Sequence, residues 1–392
     1  MSLGSIYYKL KVLLVLVVLP LSANYDLVDV AALALCILDF IYVAGRVSSG
    51  KGKLSTSLLA AALFLLFWNG LIFILFDYKG ISRLVQCACV IMCYLGNSWL
   101  DQRDVDLSFI RKVILLQLVL FVIWWPITGF VTNTYSAFYS HSNFLGGVLL
   151  GYLAILVFLQ QTEEHAKKRT YYIMYLIIAV LTLFANSRSV IFTMAAFLLG
   201  LLFLSRCKDS SAVRRAGLLL ICVIIAGIAF TVIYPQLLGT PLGTELELLS
   251  REYFNKNFFS GREELWKRLQ VLIAESPFIG YGLHRLPRDF FNTSVSSHNL
   301  WLQTALQGGF IGVAALLLFY LNMVWATIDR RFPQWRIAVS FGAAFILHEC
   351  LEASLTQNNF STGIVFWFLI GLIEARKKHH CAQLANENKL NT

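Results

Sequence analysis

A succession of about a dozen apolar stretches constrains this 392-residue chain more than any other feature. Each approaches the roughly 20 residues a helix needs to cross a hydrocarbon core about 30 Å thick. They centre on 10–23, 28–43, 58–76, 81–100, 113–128 and 144–159, then on 171–185, 190–204, 216–234, 300–327, 337–351 and 360–373. Backbone inside a bilayer must satisfy its own hydrogen bonds, so stretches of this length predict helices. Composition agrees, with 58% apolar and 14% charged residues where a soluble domain carries about 25% charged. The fold class is therefore all-α: a polytopic integral membrane protein with about 12 transmembrane helices.

The formal charge of +10 reads as topology. With a cytoplasmic N-terminus, the breaks on that side hold Arg46, Lys51, Lys53, Arg103, Arg111, Lys112, Lys167, Lys168 and Arg169. Arg206, Lys208, Arg214, Arg215, Arg330, Arg331 and Arg336 follow. Adding Lys9, Lys11 and the tail, 22 of the 32 basic residues share one face, which the positive-inside rule makes cytoplasmic for both termini. Nucleic acid is not needed to explain the charge. Lys9, Lys11 and the run ending Leu21-Ser22-Ala23 mimic a secretory signal, but Leu21 is too large for a small-x-small cleavage pattern, so the segment reads as an uncleaved anchor. Six of the eight cysteines fall in or beside spans, while Cys207 and Cys381 face the cytoplasm. Cys89 and Cys93 share a helix face without a His or carboxylate motif nearby, as packing residues do.

This places spans one to nine in 1–234, a large periplasmic loop at about 235–297, spans ten to twelve in 298–373 and a cytoplasmic tail at 374–392. Loops this long are usually functional or disordered, and this one carries structure signals and no cysteine to staple it. Ser260-Gly261-Arg262-Glu263 has the spacing of a capping box. Leu265, Leu269 and Leu272 follow at i, i+4 and i+7 with Trp266 on the adjoining face, and Ser276-Pro277 ends the run. The loop should thus contain an amphipathic helix lying on the membrane domain. A turn with Gly280 and Gly282 comes next, then Ser297-His298-Asn299 at the mouth of the tenth span. Seven basic and seven acidic residues leave the loop near neutral, so single arginines matter more than their sum.

Arg188 lies in the very short break Asn186–Ser189 at the outer membrane boundary. It is either a functional arginine held there at a desolvation cost or a snorkelling one. His298 is either an interfacial hydrogen-bonder or a catalyst. Gly309 and Gly312 after it open the helix flank for close backbone approach. A second histidine, His141, stands at the outer mouth of the sixth span before Gly146-Gly147.

The ordered set of Ser260-Gly261-Arg262 with Trp266, Pro277 with Gly280 and Gly282, then His298-Asn299 with Gly309 and Gly312 resembles the O-antigen ligase and O-antigen polymerase superfamily of bacterial envelope glycan assembly. At motif level the resemblance covers about residues 185–330; the hydropathy layout extends it over most of the chain. It implies an inner-membrane glycosyltransferase with its active site facing the periplasm. The donor it implies is an undecaprenyl-diphosphate-linked glycan, with lipid A-core as acceptor and no metal or other cofactor. A departing diphosphate needs fixed cations, and arginine's planar fork suits phosphate oxygens, so Arg188 and Arg262 are the diphosphate-binding and catalytic candidates. An acceptor hydroxyl needs a base with a near-neutral pKa, the role expected of His298. Its other reading is to orient the acceptor or the diphosphate.

Weaker substrate-binding candidates are Arg285, Arg288, His141, Asn299 and Glu349. Arg285 and Arg288 flank Pro287 and either contact phosphate or form solvated charges. His348-Glu349-x2-Glu352 lacks the second histidine of a zinc helix; its carboxylates face either a sugar-binding cavity or a structural network. Asp39 reads as structural, and His165, His379 and His380 as cytoplasmic. The ligase reading is favoured, with a polymerase extending lipid-linked repeats as the alternative. A transporter or lipid flippase is less favoured, since no internal repeat is evident and the long loop follows span nine on the outer side.

Overall fold

The structure, a computed structural model, describes all residues except Met1, 53–54, 164–166, 207–208, 255–256, 294–295, 358 and 391–392. Expectations that fall on Lys53, His165, Cys207, Lys208, Lys256 and the side chain of Lys389 lie outside the described residues. Fourteen helices make up the described chain. They are α1 Leu3–Tyr25, which passes through a π-helical stretch at Leu14–Val18, α2 Val28–Ser48, α3 Thr56–Leu75, α4 Ile81–Ser98 and α5 Leu107–Ile127. α6 Ser142–Thr162, α7 Lys168–Ala185, α8 Arg188–Ser205 and α9 Asp209–Gln236 follow. α10 Pro241–Phe254 and α11 Glu263–Glu275 belong to the long loop, and α12 Leu300–Ala326, α13 Trp335–His348 and α14 Phe360–Leu390 complete the bundle.

Each of the twelve apolar stretches coincides with a helix, the eleventh running past the end of α13 at His348, yet nine helices among the described residues are long and apolar enough to cross a membrane by length and composition. Of the other three, α13 has only 14 residues, while α4 and α14 are diluted by polar and charged residues. All three form the inner part of the bundle, where α13 packs on α8 and α4 packs on α2 and α14. A helix enclosed by helices never meets lipid, so it can carry polar groups if they are bonded. Asn97 of α4 donates to the Phe368 carbonyl of α14 at 2.6 Å, and Tyr320 of α12 donates to the Gly342 carbonyl of α13 at 2.6 Å. A Cβ on Gly371 of α14 would lie 2.6 Å from the Tyr94 carbonyl, so the crossing with α4 admits only glycine. The outer helices show the opposite pattern, exposing Leu63, Phe67, Leu176 and Leu199 as a lipid-facing surface does. The molecule is a multi-pass membrane protein.

The expected amphipathic helix is α11, which buries Leu265, Trp266, Leu269 and Ile273 against α9 and α12. Ile273, at i+8, takes the fully buried place anticipated for Leu272, which is only half-buried. The capping box is half formed. Glu263 reaches back to the Ser260 and Gly261 amides at 2.7 and 2.9 Å, but the N-cap is Arg262, without a side-chain bond to the helix start. A second loop helix, α10, was not anticipated; its Glu247 accepts the Phe258 and Phe259 amides at 2.7 and 3.0 Å and so fixes the approach to α11.

α12 is broken at Gly309, whose φ of 65° and ψ of −173° leave the helical region. Such a break orphans carbonyls and amides that must find partners within a bilayer. The glycine turn of the loop supplies them. Tyr281 and Gly282 donate their amides to the Leu306 and Gln307 carbonyls at 2.8 and 3.0 Å, and Trp68 of α3 donates to the Gly308 carbonyl at 2.8 Å. Phe310 in turn donates to the Pro277 carbonyl at 2.7 Å. Here the close backbone approach expected at Gly309 is realised: a Cβ on Gly309 would lie 2.1 Å from the Phe278 backbone, and one on Gly280 2.6 Å from the Leu306 carbonyl. Pro277, Gly280, Gly282 and Gly309 are thus one structural unit that ties the loop to α12.

Candidate active site

His298 stands just before α12 in a left-handed backbone conformation, φ 42°. A non-glycine residue pays for that region with about 1–2 kcal/mol, so its surroundings must hold it there. They do so from both sides. Trp266 of α11 donates its indole N–H to the Ser297 carbonyl at 2.7 Å. Asn299 then caps α12, its Oδ1 accepting the Leu302 amide at 3.0 Å while its Nδ2 donates to Thr231 Oγ1 and the Cys350 carbonyl at 3.2 and 3.1 Å. The Leu300 amide adds bonds to the Glu349 and Glu352 carbonyls at 2.8 and 3.1 Å. Asn299 is completely buried with its amide fully engaged, so its work in this structure is to clamp the His298 turn against the connection that follows α13.

That connection supplies the residue on which the site centres. Glu352 Oε2 lies 2.9 Å from His298 Nδ1, and its Oε1 lies 4.0 Å from Arg262 Nη2 and 3.3 Å from Asn143 Nδ2. Asn359 Nδ2 approaches at 3.5 Å. Burial raises the Glu352 carboxyl's pKa, but the bond and charge of His298 and the charge of Arg262 outweigh this and hold it below the usual carboxylate range. An ionised carboxylate can only accept, so the bridging proton sits on His298 Nδ1. His298 Nε2 makes no bond among the described residues, and the imidazole remains about one-third exposed against 5% for Glu352. A carboxylate behind a histidine fixes tautomer and ring orientation and stabilises the imidazolium formed when Nε2 takes a proton.

Arg262 is anchored by a bond from its Nη1 to the Leu351 carbonyl at 2.9 Å, leaving the rest of the guanidinium beside Glu352. Arg188 opens α8 and is exposed, with Nη1 donating to the Asn257 carbonyl of the loop at 2.6 Å. It makes no contact with Glu352, but its helix start belongs to the same end of the bundle. Gly146 of α6 abuts Ser187 and Val190, and Thr193 one turn into α8 lies 3.1 Å from His348 Nδ1 at the end of α13. His141 caps α6 by accepting the Phe144 amide on Nδ1 at 3.2 Å. Burial lowers its pKa, which also responds to the charges of Glu352 and His298 close by.

The remaining candidates take other places. Glu349 is fully buried and committed to the Ser354 hydroxyl and to the Ser354 and Leu355 amides, shaping the turn that presents Glu352. Arg285 lies elsewhere on the loop, its carbonyl accepting from Gln303 and Gln307 of α12 at 2.9 Å each and its guanidinium over the Phe290 ring. Arg288 is exposed on the turn Pro287–Asp289, without a bond or ion pair among the described residues. The histidine–carboxylate pair was not anticipated, because Glu352 is 54 residues from His298. The sequence did place it in the right motif: within His348-Glu349-x2-Glu352 it is the second carboxylate that turns to the histidine.

A helical membrane bundle thus gathers a histidine–carboxylate pair and Arg262 at the mouth of α12. Residues 173–317 match the family model described as O-antigen ligase. Like the motifs of the sequence, this match points to the O-antigen ligase and polymerase superfamily, whose members are membrane enzymes of the glycosyltransferase kind. The matched stretch contains Arg188, Arg262 and His298 and ends before Glu352. The chain matches no curated protein.

Proposed function

We propose that this protein is an O-antigen ligase of the bacterial inner membrane, moving a glycan from undecaprenyl diphosphate to lipid A-core at the periplasmic face. The observation that carries the chemistry is the bond between His298 Nδ1 and Glu352, which leaves Nε2 to act as the base while Arg262 approaches the other oxygen of the same carboxylate. The acceptor hydroxyl gives its proton to His298 Nε2 as its oxygen attacks the anomeric carbon from the side opposite the diphosphate. The bond from that carbon to the diphosphate oxygen breaks, the configuration inverts, and undecaprenyl diphosphate leaves with the bonding pair. Arg262 and Arg188 offset the charge that grows on the leaving group. Glu352 stabilises the imidazolium without itself taking the proton. None of these steps calls on a metal.

The cytoplasmic concentration of basic residues supports the orientation, since it puts the long loop and the site on the periplasmic side. Deleting the gene in frame discriminates the two transfer reactions. Core without any O-antigen and accumulating lipid-linked polymer identifies the ligase. Core bearing single repeats identifies a polymerase that extends lipid-linked units and overturns the ligase assignment.

A further inference from the structure

A second polar groove lies at the same end of the bundle, on the opposite flank of the 349–359 connection. It has a volume of about 500 Å³ and is bounded by the starts of α2 and α4, by loop residues Leu283–Leu286 and by α12. At its back three buried glutamines from three parts of the chain meet. Gln86 Oε1 accepts from the Gln357 amide at 2.7 Å and from Arg83 Nη1 at 2.8 Å, and Gln357 Nε2 donates to Gln307 Oε1 at 3.0 Å. Gln307 uses its own amide on the Arg285 carbonyl at 2.9 Å. This network leaves groups over. Gln357, 5% exposed, has no donor for Oε1, and His284 Nδ1 has no partner among the described residues. Arg83 makes no ion pair among the described residues; Asp29, which lines the groove with Asp26, accepts instead from Ser82 at 2.8 Å and from Gln86 Nε2 at 3.5 Å.

A buried acceptor without a donor costs about 1–3 kcal/mol, a cost readily offset by a ligand that supplies hydrogens. The groove offers amide acceptors and donors side by side, an imidazole, the carboxylates of Asp26 and Asp29 and a single guanidinium. Adjacent sugar hydroxyls, each both donor and acceptor, match the amides and the carboxylates. One phosphate or carboxylate substituent matches the planar fork of Arg83. A purely lipidic ligand would leave every one of these groups unmet.

We propose that this groove binds a sugar residue bearing a phosphate or carboxylate group, within the glycan whose reacting end lies at His298. The inference rests on the glycosyl-transfer reading for its second half. Glu352 and Gln357 are five residues apart on one connection, and five extended residues span at most about 17 Å. A short oligosaccharide can bridge from one site to the other, so the groove selects the acceptor or donor glycan by an anionic sugar away from the reacting hydroxyl.

The test is binding to the full chain in detergent, read by ligand-observed NMR, with glucose, glucose 6-phosphate, glucuronic acid and inorganic phosphate as probes. The charged sugars should bind at least about tenfold more tightly than glucose or inorganic phosphate, the equivalent of about 1.4 kcal/mol. Arg83→Gln should reduce them to the level of glucose, Gln357→Leu should weaken all three sugars, and His298→Asn should change none. Because Arg83→Gln disturbs a packed helix, Arg83→Lys provides a milder variant, which should weaken charged-sugar binding by several-fold. Equal binding of glucose and the charged sugars overturns the proposal. So does inorganic phosphate matching glucose 6-phosphate, which would mark an anion site only, or binding that is lost with His298→Asn and kept with Arg83→Gln. Since the readout is binding, it separates from the transfer reaction: a chain that binds charged sugars here but transfers no glycan refutes the catalytic reading alone.

Discussion

Two constellations of charge lie inside this bundle, and they are built on opposite terms. Lys11 of α1 and Asp39 of α2 form an ion pair at 2.8 Å with both side chains wholly enclosed. Lys11 spends its other hydrogens on Tyr7 Oη and the Cys93 carbonyl, and a Cβ on Gly96 would strike Tyr7 Oη and Asp39, so the pocket is filled. The cluster of His298, Glu352 and Arg262 differs in one respect. Its carboxylate is enclosed, but its histidine and arginine stay about one-third and one-fifth exposed. A closed pair can fix how helices meet and nothing else. An open cluster keeps one face of each cation or base free, which is what a reacting ligand requires. Exposure, more than the presence of charge, distinguishes the two constellations.

The sharpest way to break that contrast is to remove one member from each constellation. His298→Asn preserves a residue tolerant of the left-handed backbone while removing the base. Transfer should fall by about 10²- to 10⁴-fold, with the protein's abundance and melting temperature in detergent close to those of the unaltered chain. Arg262→Ala should lower transfer comparably by exposing the leaving diphosphate to uncompensated charge. Surface O-antigen at normal levels in both variants refutes the catalytic assignment.

Asp39→Asn should behave in the reverse manner. It strands the Lys11 ammonium in a closed interior, and losing one partner of a buried pair costs about 3–5 kcal/mol. Membrane abundance and melting temperature should drop sharply, while whatever protein folds transfers glycan at the ordinary rate per molecule. Replacing both partners, Lys11→Met with Asp39→Leu, should recover most of the stability, because an apolar pair of similar bulk carries no desolvation cost. Should the double variant fold well yet transfer nothing, the closed pair would have a part in function and the contrast would collapse.

What the sequence made legible follows the same division. Helices that face lipid announce themselves by continuous hydropathy, and the twelve apolar stretches all coincide with helices. The inner helices blur the span count, α13 because it has only 14 residues, and α4 and α14 because enclosure relaxes the need for apolar residues. Arg262 and His298 stood out because the chain around them carries local signals, a helix start and a helix mouth. Glu352 did not, since it reaches His298 only through tertiary packing. It also shares its motif with Glu349, whose equal chemistry serves the turn. Gly309 signalled a close approach, but what approaches it, the Pro277–Gly282 turn, depends on pairing a loop with a helix break that hydropathy does not register.

Gly309→Ala probes how far the open cluster depends on that docked turn. The added methyl meets the Phe278 backbone at 2.1 Å, and φ of 65° strains any residue with a Cβ. A cost of about 1–3 kcal/mol is expected, seen as a lower melting temperature and faster proteolysis between residues 277 and 290. Transfer should decline less than in His298→Asn, because Trp266 and Asn299 still hold the histidine. A change of melting temperature within error would show that the turn is not anchored at Gly309.

The smallest expected effect concerns acid. Because His298 and Arg262 hold Glu352 below its ordinary carboxylate value despite burial, folding keeps a proton off this group that the unfolded chain binds. Its contribution to stability is therefore complete above the usual carboxylate range of about pH 4.3 and is lost as pH falls through the lower, folded value. Glu352→Gln removes that dependence while keeping the side chain's shape. The melting temperature of the unaltered protein in detergent should fall more steeply between pH 5 and 3 (about those limits) than that of the variant, and the two curves should draw together at the acid end. Parallel curves across the whole interval would mean that the carboxylate gains nothing from its two cations, and that the open cluster is held by its hydrogen bonds alone.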